Sequence, residues 1–217
     1  MSAKESAKRY TLFIISLFFS GLGVAITRHG NLGVSPISSV ANILSLKFTF
    51  LTMGNWLFVT NCLLIAGQIA LLRKNFKLIQ LLQIPLSFLF GYFTDLGGLI
   101  IGGIANDNYF VRLAFSIIGV AVLGFGVSLA VIANVIMNSG EAFVKALADT
   151  IKKKFANVKI AFDISWVTLS IILSLIFFSG HLEGTREGTI IGAVMTGVFV
   201  KIFLKLIKNK VDKVLCD

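Results

Sequence analysis

The 217-residue chain has little of what soluble domains use to hold themselves together or to do chemistry: two cysteines, two prolines, two histidines and ten acidic residues. Cys62 lies in an apolar run and Cys216 near the end, too few for a disulfide framework or a thiolate metal site, so both are expected to be reduced. There is no His-x-x-x-His pair, no Gly-x-Ser-x-Gly elbow, no Walker loop and no cluster of His, Cys and carboxylates. The chain is therefore read as a non-enzyme that uses no metal or cofactor and cannot hydrolyse ATP by itself. Charge is scarce as well, at 14% of residues, where a soluble domain carries about a quarter.

What is present is apolar: 56% of the residues are hydrophobic, twenty of them phenylalanine. They fall in long uncharged runs, and about 20 such residues cross a hydrocarbon core roughly 30 Å thick. The pattern predicts an all-α integral membrane protein, one domain over 1–217, with six spans near 10–27, 49–72, 78–94, 112–135, 162–180 and 188–207. Two stretches, 35–46 and 139–155, are too short or too amphipathic to span and predict interfacial or re-entrant helices. The glycine-rich link 97–105 reads equally as an extension of the third span or as a loop.

The net charge of +10 does not form a basic stripe interleaved with exposed aromatics, which argues against nucleic acid. Lysines and arginines instead cluster at span ends: Lys4, Lys8 and Arg9; Arg73, Lys74 and Lys77; Lys145 to Lys159; and the lysines from Lys201 onward. The opposite side holds Arg28, Lys47, Arg112 and Arg186. Cytoplasmic loops carry the excess of cations, so both termini are expected in the cytoplasm. The apolar run after Lys4, Lys8 and Arg9 resembles a signal peptide, but Thr27-Arg28-His29 follows it where a small-residue cleavage site would stand. It is read as an uncleaved first span in a bacterial plasma membrane.

The two halves resemble each other. Gly21-Leu22-Gly23-Val24 aligns with Gly124-Phe125-Gly126-Val127, and Asn31 falls on Asn134. With one inserted residue, Ser35 falls on Ser139. Phe90-Gly91-Tyr92-Phe93 aligns with Thr196-Gly197-Val198-Phe199, setting Gln80 on Arg186 and Gln83 on Thr189. Repeat 1 (10–105) and repeat 2 (110–207) would each hold three spans and a short helix, so the second enters from the opposite side. Inverted halves with interrupted helices place solute sites at helix N-termini, which favour anionic groups.

The run Asn75 to Pro85, the segment Phe90 to Asp95, and Gly184-Thr185-Arg186-Glu187-Gly188-Thr189 resemble the YczE/YitT-like family of small bacterial membrane proteins. That resemblance covers nearly the whole chain and implies a multi-spanning plasma-membrane permease. Where such chains often read Glu-Pro-Trp-Asp, this one reads Val34-Ser35-Pro36-Ile37, without the two carboxylates.

The candidate substrate-binding residues are Ser35, Pro36, Ser38, Gln83, Asn134, Asn138, Ser139, Gly140, Glu141, Arg186, Glu187 and Thr189. Each has an ordinary explanation: Ser35-Pro36 is a standard helix start, Glu141 complements a helix dipole, Gln83 serves interhelical bonding, and Arg186-Glu187 is a surface pair. The symmetric pairing of the two short-helix starts is what points to a site. The leading expectation is a secondary transporter for a small polar solute, carboxylate-bearing or otherwise anionic. Two alternatives stand beside it. One is the solute-capturing subunit of an importer with a separate ATPase. The other is a non-transporting scaffold, whose Gly98/Gly102 and Gly188/Gly192 spacings would serve a homodimer or a partner membrane protein.

Overall fold

The structure, a computed structural model, describes residues 3–216, apart from the side chain of Cys216. It is all helical among the described residues. Six long apolar helices carry the membrane spans: α1 (Ala3–His29), α3 (Met53–Leu72), α4 (Gln83–Ile101), α5 (Tyr109–Ala133), α7 (Phe155–Phe177) and α8 (Glu187–Cys216). Two helices of twelve residues lie between them, α2 (Pro36–Lys47) and α6 (Ser139–Thr150). This is a multi-pass membrane protein.

Its burial pattern suits a bilayer. Leu78, Leu99, Phe50 and Phe110 are largely exposed, whereas Ser16, Ser38, Ser39, Ser128, Ser170 and Ser174 are fully enclosed. Lipid solvates the outer apolar residues, and small polar residues let helices approach and bond to one another inside.

Several helix boundaries differ from the sequence expectation: α1 begins at Ala3 and α7 at Phe155, earlier than expected, and α8 runs on to Cys216. The link after the third span is helical to Ile101 and then turns. The second short helix stops at Thr150, because Lys152 takes a left-handed backbone (φ 54°) and the chain turns into α7 at Phe155. The i+4 apolar pattern of Phe143, Leu147, Ile151 and Phe155 thus runs through a break. Finally, α8 is continuous from Glu187, with Lys201 and Lys205 on it.

Packing is paired between the halves. Helix α1 crosses α5; α1 packs on α4 as α5 packs on α8; α2 meets α7 as α6 meets α3. The same glycines set both sides of the central crossing. A methyl on Gly23 would clash with Leu123 and Gly119 of α5, and one on Gly126 with Ser20 and Ser16 of α1. Gly21 likewise abuts Phe93 and Thr94 of α4, and Gly124 abuts Phe199 and Val200 of α8. Asn31 and Asn134 both take the left-handed conformation that ends a helix sharply (φ 53° and 49°). From there the spacing runs without interruption to caps Ser35 (φ −56°, ψ 150°) and Asn138 (φ −57°, ψ 147°). The inserted residue of the linear alignment is not needed: Ser35 corresponds to Asn138, and Pro36 to Ser139.

One pairing has no counterpart. Helices α3 and α4 clasp where Gly54 and Gly91 bring their backbones together, and Asp95 accepts a hydrogen bond from Gly54 N at 2.8 Å. Helices α7 and α8 barely touch. Gly197 stands where Gly91 would, and a methyl there would meet nothing within 4 Å. Four residues further on, Lys201 replaces Asp95. Both chain ends lie at one end of the bundle, where Lys8 Nζ donates to Val214 O at 2.8 Å and Arg9 reaches the carbonyls of Ile132 and Ala133.

Overpacking a close helix crossing costs about 1–3 kcal/mol. Gly126→Val is expected to lower the unfolding free energy of the purified protein by that amount, read as an earlier midpoint in an SDS titration. Gly98→Ala, at a glycine with open space around it, is expected to leave the midpoint unchanged.

Candidate functional site

Between the two crossing helices and the two short ones lies a cavity of about 600 Å³, within the range of about 300–1,000 Å³ usual for small-molecule sites. Both short-helix N-termini reach it. Ser35, Pro36, Ile37 and Ser38 come from one, and Asn138, Ser139, Gly140 and Glu141 from the other. They abut directly, since the Ile37 side chain sits where a side chain on Gly140 would be. The sharp turns at Asn31 and Asn134 aim the two ends at each other.

Neither short helix is capped by a side chain. Ser35 and Asn138 occupy the cap positions, and both are favoured capping residues, yet neither accepts a bond from its helix. The Ser35 hydroxyl donates instead to Ser38 Oγ at 3.0 Å. The contrast with two spanning helices is informative: Thr52 Oγ1 caps α3 by accepting from Asn55 N, and Asn108 Oδ1 accepts from Phe110 N at the start of α5. First-turn N–H groups have no intrahelical partner. In α2 and α6 their positive end of the helix dipole is turned on the cavity.

A buried polar network holds α6 in place. Gln68 on α3 and Gln83 on α4 exchange amide hydrogen bonds at 3.0 and 3.3 Å, and Gln68 Nε2 also donates to Ser139 O at 3.1 Å. The Ser87 and Ser139 hydroxyls share a bond of 2.8 Å. On the other side, Trp166 Nε1 donates to Ile37 O at 3.1 Å, Asn42 Nδ2 to Gly184 O at 2.8 Å, and Gly188 N to Leu32 O at 2.8 Å. Each short helix is thus pinned by the other half.

Three charged groups line the cavity. Lys159 and Asp163 form an ion pair one turn apart on α7. Glu141, on the non-spanning α6, has no hydrogen bond or ion pair among the described residues. Burial pushes its carboxyl above the usual carboxylate range; nearby Lys159 draws it down and Asp163 pushes it up again.

Of the twelve candidates read from the sequence, eight line this cavity: Ser35, Pro36, Ser38, Gln83, Asn138, Ser139, Gly140 and Glu141. Four do not. Asn134 is the exposed left-handed cap of α5, its conformation spent on the turn. Arg186 and Glu187 pair with each other at 3.3 Å, their side chains 43% and 40% exposed. Thr189 is 1% exposed behind the start of α2, packed on Gly33, with its hydroxyl unpartnered among the described residues. Gln83 also forms the wall toward a smaller recess of about 230 Å³ lined by Gln80, Lys145 and Asp149. Sequence reasoning overlooked Gln68, Asn61, Ser87 and Thr196. The available signal was a polar side chain alone in a run long enough to span, which lipid would reject and only an internal partner could satisfy.

The chain belongs to a family of unknown function, DUF6198, whose model matches residues 7–205. No curated protein and no solved structure matches it.

The glutamine pair is expected to behave as a unit. Gln68→Leu leaves Gln83 and Ser139 O without their partner and should cost about 1–3 kcal/mol. The double variant Gln68→Leu/Gln83→Leu should recover part of that loss. Unfolding midpoints of the two single variants and the double variant, compared as a cycle, measure the coupling.

Proposed function

We propose that this protein is a secondary transporter of permease type, kin to the YczE/YitT-like proteins. It would carry a small solute bearing a carboxylate or similar anionic group across the bacterial plasma membrane, with both termini cytoplasmic. The observation that carries this reading is the pair of uncapped helix N-termini meeting at one internal cavity. An unsatisfied helix start inside a bilayer is costly, and nothing in the packing requires it here, because Ser35 and Asn138 are the right residues to cap it. An anion at that point would supply the missing acceptors.

The paired architecture supports transport rather than storage. Two halves that cross at α1 and α5 can exchange which side is clasped. In this conformation α3 and α4 are held together by Gly54, Gly91 and Asp95, while the equivalent α7 and α8 stand apart on the side of the chain ends. With cytoplasmic termini, this is the inward-open state. The reverse arrangement, α7 on α8 and α3 off α4, would open the other side. The chain has no P-loop, so the energy comes from a gradient, and Glu141 is the group placed to carry a proton with the solute.

The pH dependence has a definite sign. Protonating Glu141 removes a negative charge beside the two helix starts, leaving Lys159 and Asp163 to balance each other. Anion binding should therefore tighten as pH falls through the Glu141 pKa. Acetate, succinate and glutamate are suitable probes, read by thermal shift and by uptake into proteoliposomes. A carboxylate at a hundred times its Kd adds about 2.7 kcal/mol of stability. Wild type should show that gain mainly at acidic pH, and Glu141→Gln should show it equally at every pH. Silence across all carboxylates in both assays would sink the reading.

A further inference from the structure

The walls of the cavity do not match its polar end. Away from the two helix starts it is lined by Phe13 and Leu17 of α1, Leu86 and Phe90 of α4, and Leu123 and Val127 of α5. A wholly polar solute would leave most of this surface unused. Dry apolar walls bind apolar groups, with each buried methylene favoured over water.

The shape of the opening adds a second, independent observation. The cavity is lined on the α3/α4 side mainly by α4, through Gln83, Leu86, Ser87 and Phe90, and it is lopsided between the equivalent helices α7 and α3. Helix α7 contributes Phe155, Lys159, Ile160 and Asp163, whereas α3 contributes Asn61 alone. Helix α8 adds Gly192, Ala193, Thr196, Gly197 and Val200. These are the two helices that barely touch, and Gly197 faces open space between them. Ile160, beside this gap on α7, is 59% exposed. In a bilayer the gap faces acyl chains, so the apolar part of the cavity is continuous with the hydrocarbon core.

The polar end supplies the other half of the chemistry. Two uncapped N-termini meet there, and the half-buried Glu141 carboxyl beside them lines the cavity with no hydrogen-bond or ion-pair partner among the described residues. A charged head needs such a place to leave the membrane–water interface, and an apolar tail needs none.

We propose that the transported solute is a single-chain anionic amphiphile admitted sideways from the bilayer between α7 and α8, its head against the two short-helix N-termini and its chain along the apolar walls toward Gly197. This rests on the transport reading and names its substrate class. The shared head chemistry is an anion with several acceptor oxygens, a carboxylate or a phosphate monoester.

The test uses the full chain in lipid nanodiscs and two homologous series, the alkanoates from butanoate to decanoate and the matching alkyl phosphates. Binding is followed by the fluorescence of Trp166, which is bonded to the first turn of α2, in a Trp56→Phe background. Free ligand is corrected for uptake by empty discs. Affinity should rise about fourfold for each methylene that the cavity accommodates, in whichever series carries the right head. Gly197→Trp, which puts a large side chain where a Cβ has open space around it, should abolish the gain with chain length and leave the shortest member bound as before. Gly197→Leu repeats that test with a smaller wedge if the tryptophan variant does not fold. Affinity independent of chain length would overturn the amphiphile and leave the anion transporter standing. Failure of every member of both series to bind would remove both.

Discussion

Everything in this molecule hangs on how closely α1 and α5 approach. At the crossing, Gly23 takes the backbone of Leu123 and Gly119, and Gly126 takes Ser20 and Ser16. No side chain larger than hydrogen fits at either glycine. Because the two contacts are equivalent, the crossing acts as a pseudo-twofold axis, and what one half does near it the other half repeats. The left-handed turns at Asn31 and Asn134 follow directly from the ends of the crossing helices. They turn the chain back so that α2 and α6 point at each other across the axis. A looser crossing would move the two helix starts apart and dissolve the site between them.

The site is expensive to maintain, and the cost is visible. Twelve-residue helices are too short to span, and both N-termini end at one internal cavity among the spanning helices, where buried backbone groups need protein partners. The chain meets the requirement with side-chain amides and hydroxyls from other helices: Gln68, Gln83 and Ser87 around α6, Trp166 and Asn42 around α2. Those bonds go to carbonyls and side chains of the short helices; Ser38 N turns back to Ser35 O at 3.0 Å, and Ile37 N in α2 and the first-turn N–H groups of α6 are left without a partner among the described residues.

Much of this was legible in the sequence. The paired Gly-x-Gly motifs, Ser35-Pro36 and the uncharged runs each report a local requirement, close approach, helix start or lipid contact, that one residue type meets. Other features could not be read. Lys159 and Asp163 sit at i, i+4, a spacing that a solvated surface pair explains completely, so nothing in the string turns them inward. Arg186 and Thr189 were placed by repeat alignment, which fixes height along a helix but not direction around it. A rotation suffices to bury Thr189 behind α2 and to leave Arg186 outside with Glu187. The overlong second short helix failed for a different reason: apolar periodicity says which face is buried and cannot see a left-handed residue such as Lys152. The α7/α8 gap was invisible because it is a departure from symmetry, and the alignment that revealed the repeat implied that both pairs would close.

The α1/α5 crossing also sets a clock. The serine- and glycine-lined face of α1 has no proper partner in its own half, since its complement from Gly119 to Gly126 is translated about a hundred residues later. At about 5–20 residues per second, α1 waits roughly 5–20 s in the membrane with that face uncovered. During that interval the first half has its own contacts to rely on, α1 on α4, α2 on α3 and the α3/α4 clasp. The tight Gly54–Gly91 contact, which has no counterpart in the second half, is formed entirely within the part of the chain made first.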